Sequence, residues 1–291
     1  MQESASSPSQ GTPRKSSVQP ISAAARRARR RRRKVLRIAC LAGCAALALA
    51  LIIALARLGL HAVQGIHTAA DYGTASYDLS AYTFNAADPY LLLVNGNTPL
   101  AQDYVPTTVD AADGKTLETY AASAYQAMAA AAAKDGVSLI LQSGYRDYAY
   151  QQGLFEKRTQ KYLDKGYAEA EAEAMAQTIV ARPGTSEHQT GLAADIVTED
   201  YTELEEGFAK TDAYAWLCRY APDYGFILRY PEERQAATGI IYEPWHWRYV
   251  GVANAQAITA SGLSLEEFLA LHMTGGDIAA ANPAASQTAA S

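Results

Sequence analysis

Apolar positions in this chain fall into one long uninterrupted run near the N-terminus and, from residue 89 onward, into short periodic segments separated by polar turns. The long run, Ile38 to Ala56, contains no charged residue across its nineteen positions. As a helix it rises about 28 Å, close to the ~30 Å hydrocarbon core of a bilayer. Further on, residues 116–134 place Leu117, Tyr120, Ala124, Met128 and Ala131 at helical spacing, and Asp135-Gly136 stops them. The apolar segment Tyr90–Asn95 predicts a short strand or extended arm ended by Gly96-Asn97, and Val137–Leu141 predicts a strand. The pattern continues with helices over 147–165 and 168–180, a strand over 192–197 and a helix over 211–220. Strands over 225–230 and 245–250 and two closing helices, from 251 and from 264, complete it. Short strands mixed with helices predict an α+β fold: one domain with a small antiparallel sheet flanked by helices, preceded by an N-terminal transmembrane helix.

Charge sharpens these boundaries. Residues 1–57 carry a local charge of +11 and the remainder −16, so the overall −5 describes neither part. The basic run Arg26–Lys34 directly precedes the apolar stretch, and residues 1–25 are rich in Ser, Pro and Gln. We therefore expect a disordered basic cytoplasmic tail (1–34), a single-pass anchor (35–57), a stalk (58–88), the folded domain (89–272) and a disordered tail (273–291). Arginines on the N-terminal side keep that end in the cytoplasm and export everything after Ala56, so the domain is expected on the extracellular side of the cell membrane. Polybasic runs can bind nucleic acid, but one joined to an apolar span reads as a topology signal, and no nucleic-acid partner is expected. A cleaved signal peptide has a shorter apolar core and a small-residue cleavage site, which is not clear here. Leu41-Ala42-Gly43-Cys44 resembles a lipoprotein box but sits inside the apolar run.

Cys40 and Cys44 fall in the span, which leaves Cys218 alone in the exported part. With no intrachain disulfide available, the domain must be stable through its core, and Cys218 is expected to pack as a small apolar side chain.

Five histidines remain to be placed; His61 and His67 lie in the stalk and His272 at the domain end. The other two sit in Ser186-Glu187-His188-Gln189-Thr190-Gly191-Leu192-Ala193-Ala194-Asp195 and in Glu243-Pro244-Trp245-His246. Together these stretches supply two imidazoles, a carboxylate and a glutamate beside the second imidazole. That is the ligand set of a catalytic zinc site with an open position and a base. A tight turn at Thr190-Gly191, where glycine has no Cβ to crowd it, lets His188 and Asp195 meet one ion, and His246 closes the set. Glu243 and His246 are three apart and would point to opposite faces of an unbroken strand, so Pro244 is expected to bend the chain between them. Glu187 reads as a surface carboxylate, Trp245 and Trp247 as core or site wall, and the five carboxylates between Glu199 and Glu206 as a solvated loop.

Ser143-Gly144-Tyr145-Arg146, then Ser186 to Asp195, then Glu243 to Trp247 resemble, in content and order, the VanY-type D-alanyl-D-alanine carboxypeptidases, zinc peptidases that trim peptidoglycan stem peptides. The resemblance covers roughly residues 90–255, with one departure: Asp147 stands where many relatives carry Ser. It implies that His188, Asp195 and His246 hold Zn2+ and that Glu243 takes a proton from water. It also implies that Arg146 stabilises the oxyanion or the substrate's terminal carboxylate, and that Gln151 and Ser186 line the pocket for the terminal D-Ala. For Arg146 the structural alternative is a salt bridge with Asp147 or an acidic-loop residue. The implied activity is removal of the terminal D-Ala from stem pentapeptides or precursors. Alternatives are an L,D-carboxypeptidase acting on tetrapeptides and, in a different class, a non-catalytic zinc-stabilised wall-binding module. An acidic domain gains nothing from long-range attraction to anionic wall polymers, so recognition should rest on the pocket.

Overall fold

The computed structural model describes residues 72, 73, 75–274 and 278, all within the unit that runs Ile66–Ser291. The basic tail, the apolar anchor, the first part of the stalk and nearly all of the C-terminal tail lie outside the described residues. Among those described, no helix is long and apolar enough to cross a membrane.

Strands β1 (Thr108–Ala112) and β2 (Lys115–Glu118) form a hairpin. Strands β3 (Ile140–Ser143), β4 (Ala193–Val197), β5 (Phe226–Leu228) and β6 (His246–Tyr249) form a second sheet in the order β3-β4-β6-β5, antiparallel throughout. Around them lie α1 (Thr119–Lys134), α2 (Tyr148–Leu163), α3 (Glu169–Gln177), α4 (Asp212–Tyr220), α5 (Gln235–Thr238), α6 (Val252–Ser261) and α7 (Leu265–His272). The expected α+β architecture is present.

Alternation along the central strands divides their side chains between two jobs. Ala194 pairs with Trp247, Leu228 with Trp247 and Phe226 with Tyr249, and these residues pack into the main core with Tyr125 and Met128 of α1 and Trp216 of α4. Residues one position along point the other way. On that second face the register sets Asp195 opposite His246, Ala193 opposite Arg248, and Ile227 opposite Arg248. A smaller core of Ile227, Val250, Ile258, Leu265, Phe268 and Leu269 lies there, beneath α6 and α7. One face of the sheet thus carries most of the packing and the other carries the polar chemistry.

Some local readings change, among them the strand expected over 137–141, which runs Ile140–Ser143. The helix expected over 116–134 begins only at Thr119, because Lys115–Glu118 are a strand and Leu117 is fully buried there. Its buried side is Ala121, Ala122, Tyr125, Met128 and Ala132, while Tyr120 is exposed. The hairpin before it turns on Asp113 (φ 51°) and Gly114 (φ 75°), the two left-handed residues that a two-residue turn of matching twist needs. The Glu118 carboxylate then accepts from the amides of Tyr120 (2.8 Å) and Ala121 (3.2 Å) and caps α1.

Of the two readings for Tyr90–Asn95, the arm is the one observed. Asp88 caps a 3-10 turn over Pro89–Leu91, and Leu91 to Val94 continue buried on both sides. Among the described residues no strand pairs with them; Arg248 Nη2 instead donates to the carbonyls of Tyr90 (3.0 Å) and Leu92 (2.7 Å). A side chain satisfies backbone groups that would otherwise be buried unpaired.

Candidate metal centre and active site

His188 stands on a 3-10 turn, Glu187–Thr190, closed by Gly191 in the left-handed region (φ 69°). A Cβ at Gly191 would also meet the Glu118 amide nitrogen at 2.9 Å, and that amide donates to the Gly191 carbonyl at 2.8 Å. Gly144 is needed for a different reason: a Cβ there would run into the Thr116 carbonyl oxygen. With backbone so close, the Gly144 carbonyl reaches His188 Nδ1 at 2.6 Å. A carbonyl only accepts, so Nδ1 carries the proton and Nε2 keeps its lone pair. Gly144 of the Ser-Gly-Tyr-Arg motif therefore orients the first imidazole through its backbone.

Asp195 lies in β4 directly opposite His246 in β6. Its two oxygens face different rings: Oδ2 is 3.3 Å from His188 Nε2 and Oδ1 is 3.2 Å from His246 Nδ1. The expected bend before His246 is present as a turn, with the His246 amide donating to the Glu243 carbonyl at 3.1 Å. It brings Glu243 Oε2 to 3.6 Å from His246 Nδ1. His188, Asp195 and His246 are all buried, and one ligand atom from each lies within 4.8 Å of the others. Donors bonded to one ion at about 2 Å lie no more than about 4 Å apart, and the 3.3 and 3.2 Å separations of Asp195 from the two rings fall inside that limit. His188 Nε2 and Asp195 Oδ1 are buried without a hydrogen-bond partner, as donors reserved for a cation would be. Two imidazoles and one carboxylate suit zinc with an open position, so the residues fit the expected cofactor.

Electrostatics separate the two rings. Burial, together with the Arg146 guanidinium, pushes His188 down to about 4. Burial acts the same way on His246, but the Asp195, Glu187 and Glu243 carboxylates outweigh it and carry the ring up to about 9. Asp195 shows the converse balance: burial raises it, yet the two imidazoles hold it well below the usual carboxylate range. Burial lifts Glu243 to about 7, with Asp195 and Glu187 adding to the effect against His246 and Arg146.

These groups line a cavity of about 740 Å³ together with Arg146, Gln151 and Ser186. Arg146 Nε is buried without a hydrogen-bond partner, and no ion pair of the described residues involves this side chain. The structural alternative of a salt bridge with Asp147 is not observed. Asp147 instead caps α2 by accepting from the Tyr150 amide at 2.7 Å, a role a serine also fills. Gln151 is buried on α2; its Nε2 donates to the Ala181 carbonyl at 2.7 Å, and its Oε1 has no partner. Ser186 is buried at the start of the His188 turn.

Glu187 is not the surface carboxylate expected from sequence. It is buried, with Arg229 Nε and Arg248 Nη1 each 2.8 Å from Oε1. Burial alone would raise its pKa; the two guanidiniums prevail and hold it well below the ordinary value. A signal for this existed in the sequence. Arg229 and Arg248 interrupt otherwise apolar strand segments, and an arginine inside a buried strand requires a buried partner. The other expectations stand closer to the structure. The five acidic-loop carboxylates are exposed, Trp247 is core, Trp245 lines the cavity, and Cys218 packs against the main core.

The family description D-alanyl-D-alanine carboxypeptidase, VanY, matches residues 114–252. A D-alanyl-D-alanine carboxypeptidase of Enterococcus faecalis is 40% identical over 179 residues, covering 62% of this chain and 65% of that protein. The putative carboxypeptidase YodJ of Bacillus subtilis is 36% identical over 197 residues, covering 64% of this chain and 69% of its own length. This chain belongs to the VanY family of D-alanyl-D-alanine carboxypeptidases. Among solved VanY structures, a mutant of the D,D-pentapeptidase from a VanB-type resistance cassette, in complex with Zn(II), matches at a TM-score of 0.56 and 39% identity. That match covers 62% of this chain and 99% of the other. The LD-carboxypeptidase LdcB matches at a TM-score of 0.57 and 34% identity, covering 68% of this chain and 94% of its own. The VanY-family match spans β2 to the start of α6 and so contains every residue of the candidate metal centre.

Proposed function

We propose that this chain is a membrane-anchored zinc D,D-carboxypeptidase that removes the terminal D-Ala from peptidoglycan stem pentapeptides or their precursors. One observation carries the reading: a buried His-Asp-His ligand set shares one cavity with a glutamate beside the third ligand and an arginine free of ion pairs among the described residues. Zinc held by His188, Asp195 and His246 would supply Lewis-acid polarisation of a carbonyl and water of lowered pKa. Glu243, lifted to about 7, is matched to accept a proton from water near neutral pH and return it to the leaving amine. Arg146 offers its guanidinium to the developing oxyanion or the terminal carboxylate by charge-assisted hydrogen bonds. Gln151 and Ser186 wall the same cavity and bound the space for a small terminal residue. A wall-binding module that kept its metal only for stability would need neither the placed base nor the free arginine.

The likeness to LdcB favours one second reading, an L,D-carboxypeptidase acting on tetrapeptides. The D,D reading is supported by the likeness to a D,D-pentapeptidase. Incubating the zinc-loaded full chain with defined tri-, tetra- and pentapeptide stems separates them. D-Ala release from the pentapeptide alone is expected; release from the tetrapeptide alone would establish the L,D activity, and release from neither would leave the binding module.

The anchor and the extracellular placement rest on the charged run followed by nineteen uncharged apolar residues. Protease added to intact protoplasts should degrade the domain and spare the N-terminal tail. Survival of the domain until lysis would reverse the topology.

A further inference from the structure

The buried charges behind His246 have a division of labour that neither the metal set nor the base accounts for. Glu187 Oε1 faces both guanidiniums at 2.8 Å, accepting a hydrogen bond from Arg229 Nε and forming an ion pair with Arg248 Nη1. Glu187 Oε2 takes neither, has no hydrogen-bond partner, and points at His246 Nε2 from 3.8 Å. His246 Nε2 is likewise buried without a partner. Two unsatisfied polar atoms of complementary type thus face each other. A movement of roughly 1 Å would close them to a charge-assisted hydrogen bond of about 2.8 Å.

The other edge of the same ring faces the metal set, with Nδ1 at 3.2 Å from Asp195 Oδ1. If Nδ1 offers its lone pair to an ion, the ring proton must sit on Nε2, and a buried N–H needs an acceptor. We infer that Glu187 is the positioning residue for the third metal ligand, accepting the Nε2 proton of His246 and fixing the ring so that Nδ1 faces the ion. This rests on the metal-site reading proposed above. Arg229 and Arg248 keep the Glu187 carboxylate ionised at a fixed place. Arg229 is in turn gripped bidentately by Glu266 on α7, and Arg248 is tied to the carbonyls of Tyr90 and Leu92. The group of Glu187, Glu266, Arg229 and Arg248 is formally neutral, so the pocket holds the carboxylate without excess charge.

The test uses the metal-stripped full chain and zinc competition against a chromophoric chelator. Glu187→Gln keeps the side chain's size and should weaken zinc binding about 10–100-fold, the usual effect of losing an outer-shell partner. The visible spectrum of the Co2+-loaded protein should shift as well, which loss of a purely structural contact would not cause. Because Glu187→Gln leaves an unbalanced buried cation, the double variant Glu187→Gln/Arg248→Gln restores neutrality and should bind zinc as weakly as the single one. Zinc affinity within about twofold of wild type in a folded Glu187→Gln chain would overturn the inference. So would full recovery of affinity in the double variant, which would reduce Glu187 to a counter-ion for the arginines. Failure of the wild-type chain itself to bind zinc would strike the metal-site reading, and that is measured before any variant.

Discussion

Glu243→Gln should lower kcat by about 10²–10⁴-fold while zinc affinity stays within a few-fold of wild type. The glutamate sits 3.6 Å from His246 Nδ1, is only 12% exposed and belongs to no ligand group. Glutamine fills the same space and keeps a carbonyl oxygen but cannot accept a proton at neutral pH. The lost factor corresponds to about 3–5 kcal/mol of transition-state stabilisation. KM for the pentapeptide should change little, because a base acts on water during reaction rather than on bound substrate. Steady-state D-Ala release together with zinc competition decides the matter. A Glu243→Gln chain that binds zinc and turns over at near wild-type rate would move the base elsewhere.

Asp195→Asn should remove zinc binding and activity together while leaving the fold standing. Asp195 faces both imidazoles, and asparagine preserves its shape without its charge. The apolar cores include none of the three candidate metal ligands, so the fold should form without the ion. Stripped wild-type protein should therefore melt cooperatively, and zinc at a thousand times its dissociation constant should add about 4 kcal/mol. The Asp195→Asn chain should melt near the stripped wild type and gain nothing from zinc. Thermal denaturation with and without metal checks this; a zinc-induced rise in Tm for Asp195→Asn would show that the ion is held elsewhere. A stripped wild type with no cooperative transition would instead make the metal part of the fold.

Much of the site was legible because its chemistry is concentrated in short stretches. His188 and Asp195 are separated by a turn that one glycine permits, and Glu243 and His246 by a bend that one proline starts, so local rules sufficed. The β1–β2 hairpin escaped for the opposite reason. Its strand Lys115–Glu118 runs straight into α1, and Leu117 fits the helical spacing of Tyr120, Ala124 and Met128 as well as it fits a strand. Periodicity cannot divide two elements that share an apolar position at their junction. The arm Leu91–Val94 reads as a strand by composition, yet the Leu92 carbonyl, like that of Tyr90 just before the arm, accepts from Arg248, more than 150 residues away.

From its sequence alone the chain's α+β class, the candidate metal donors and the resemblance to zinc carboxypeptidases were already legible, because donor chemistry belongs to side-chain type and spacing. Only the tertiary structure decided which face of the sheet receives those donors, since Asp195 and His246 meet through a strand register that no local pattern encodes. It also decided the fate of Glu187. A glutamate between Ser186 and His188 is surface by default, and it became a buried anchor because Arg229 and Arg248, distant along the chain, arrive on the same side of the sheet and offset the cost of taking its charge out of water.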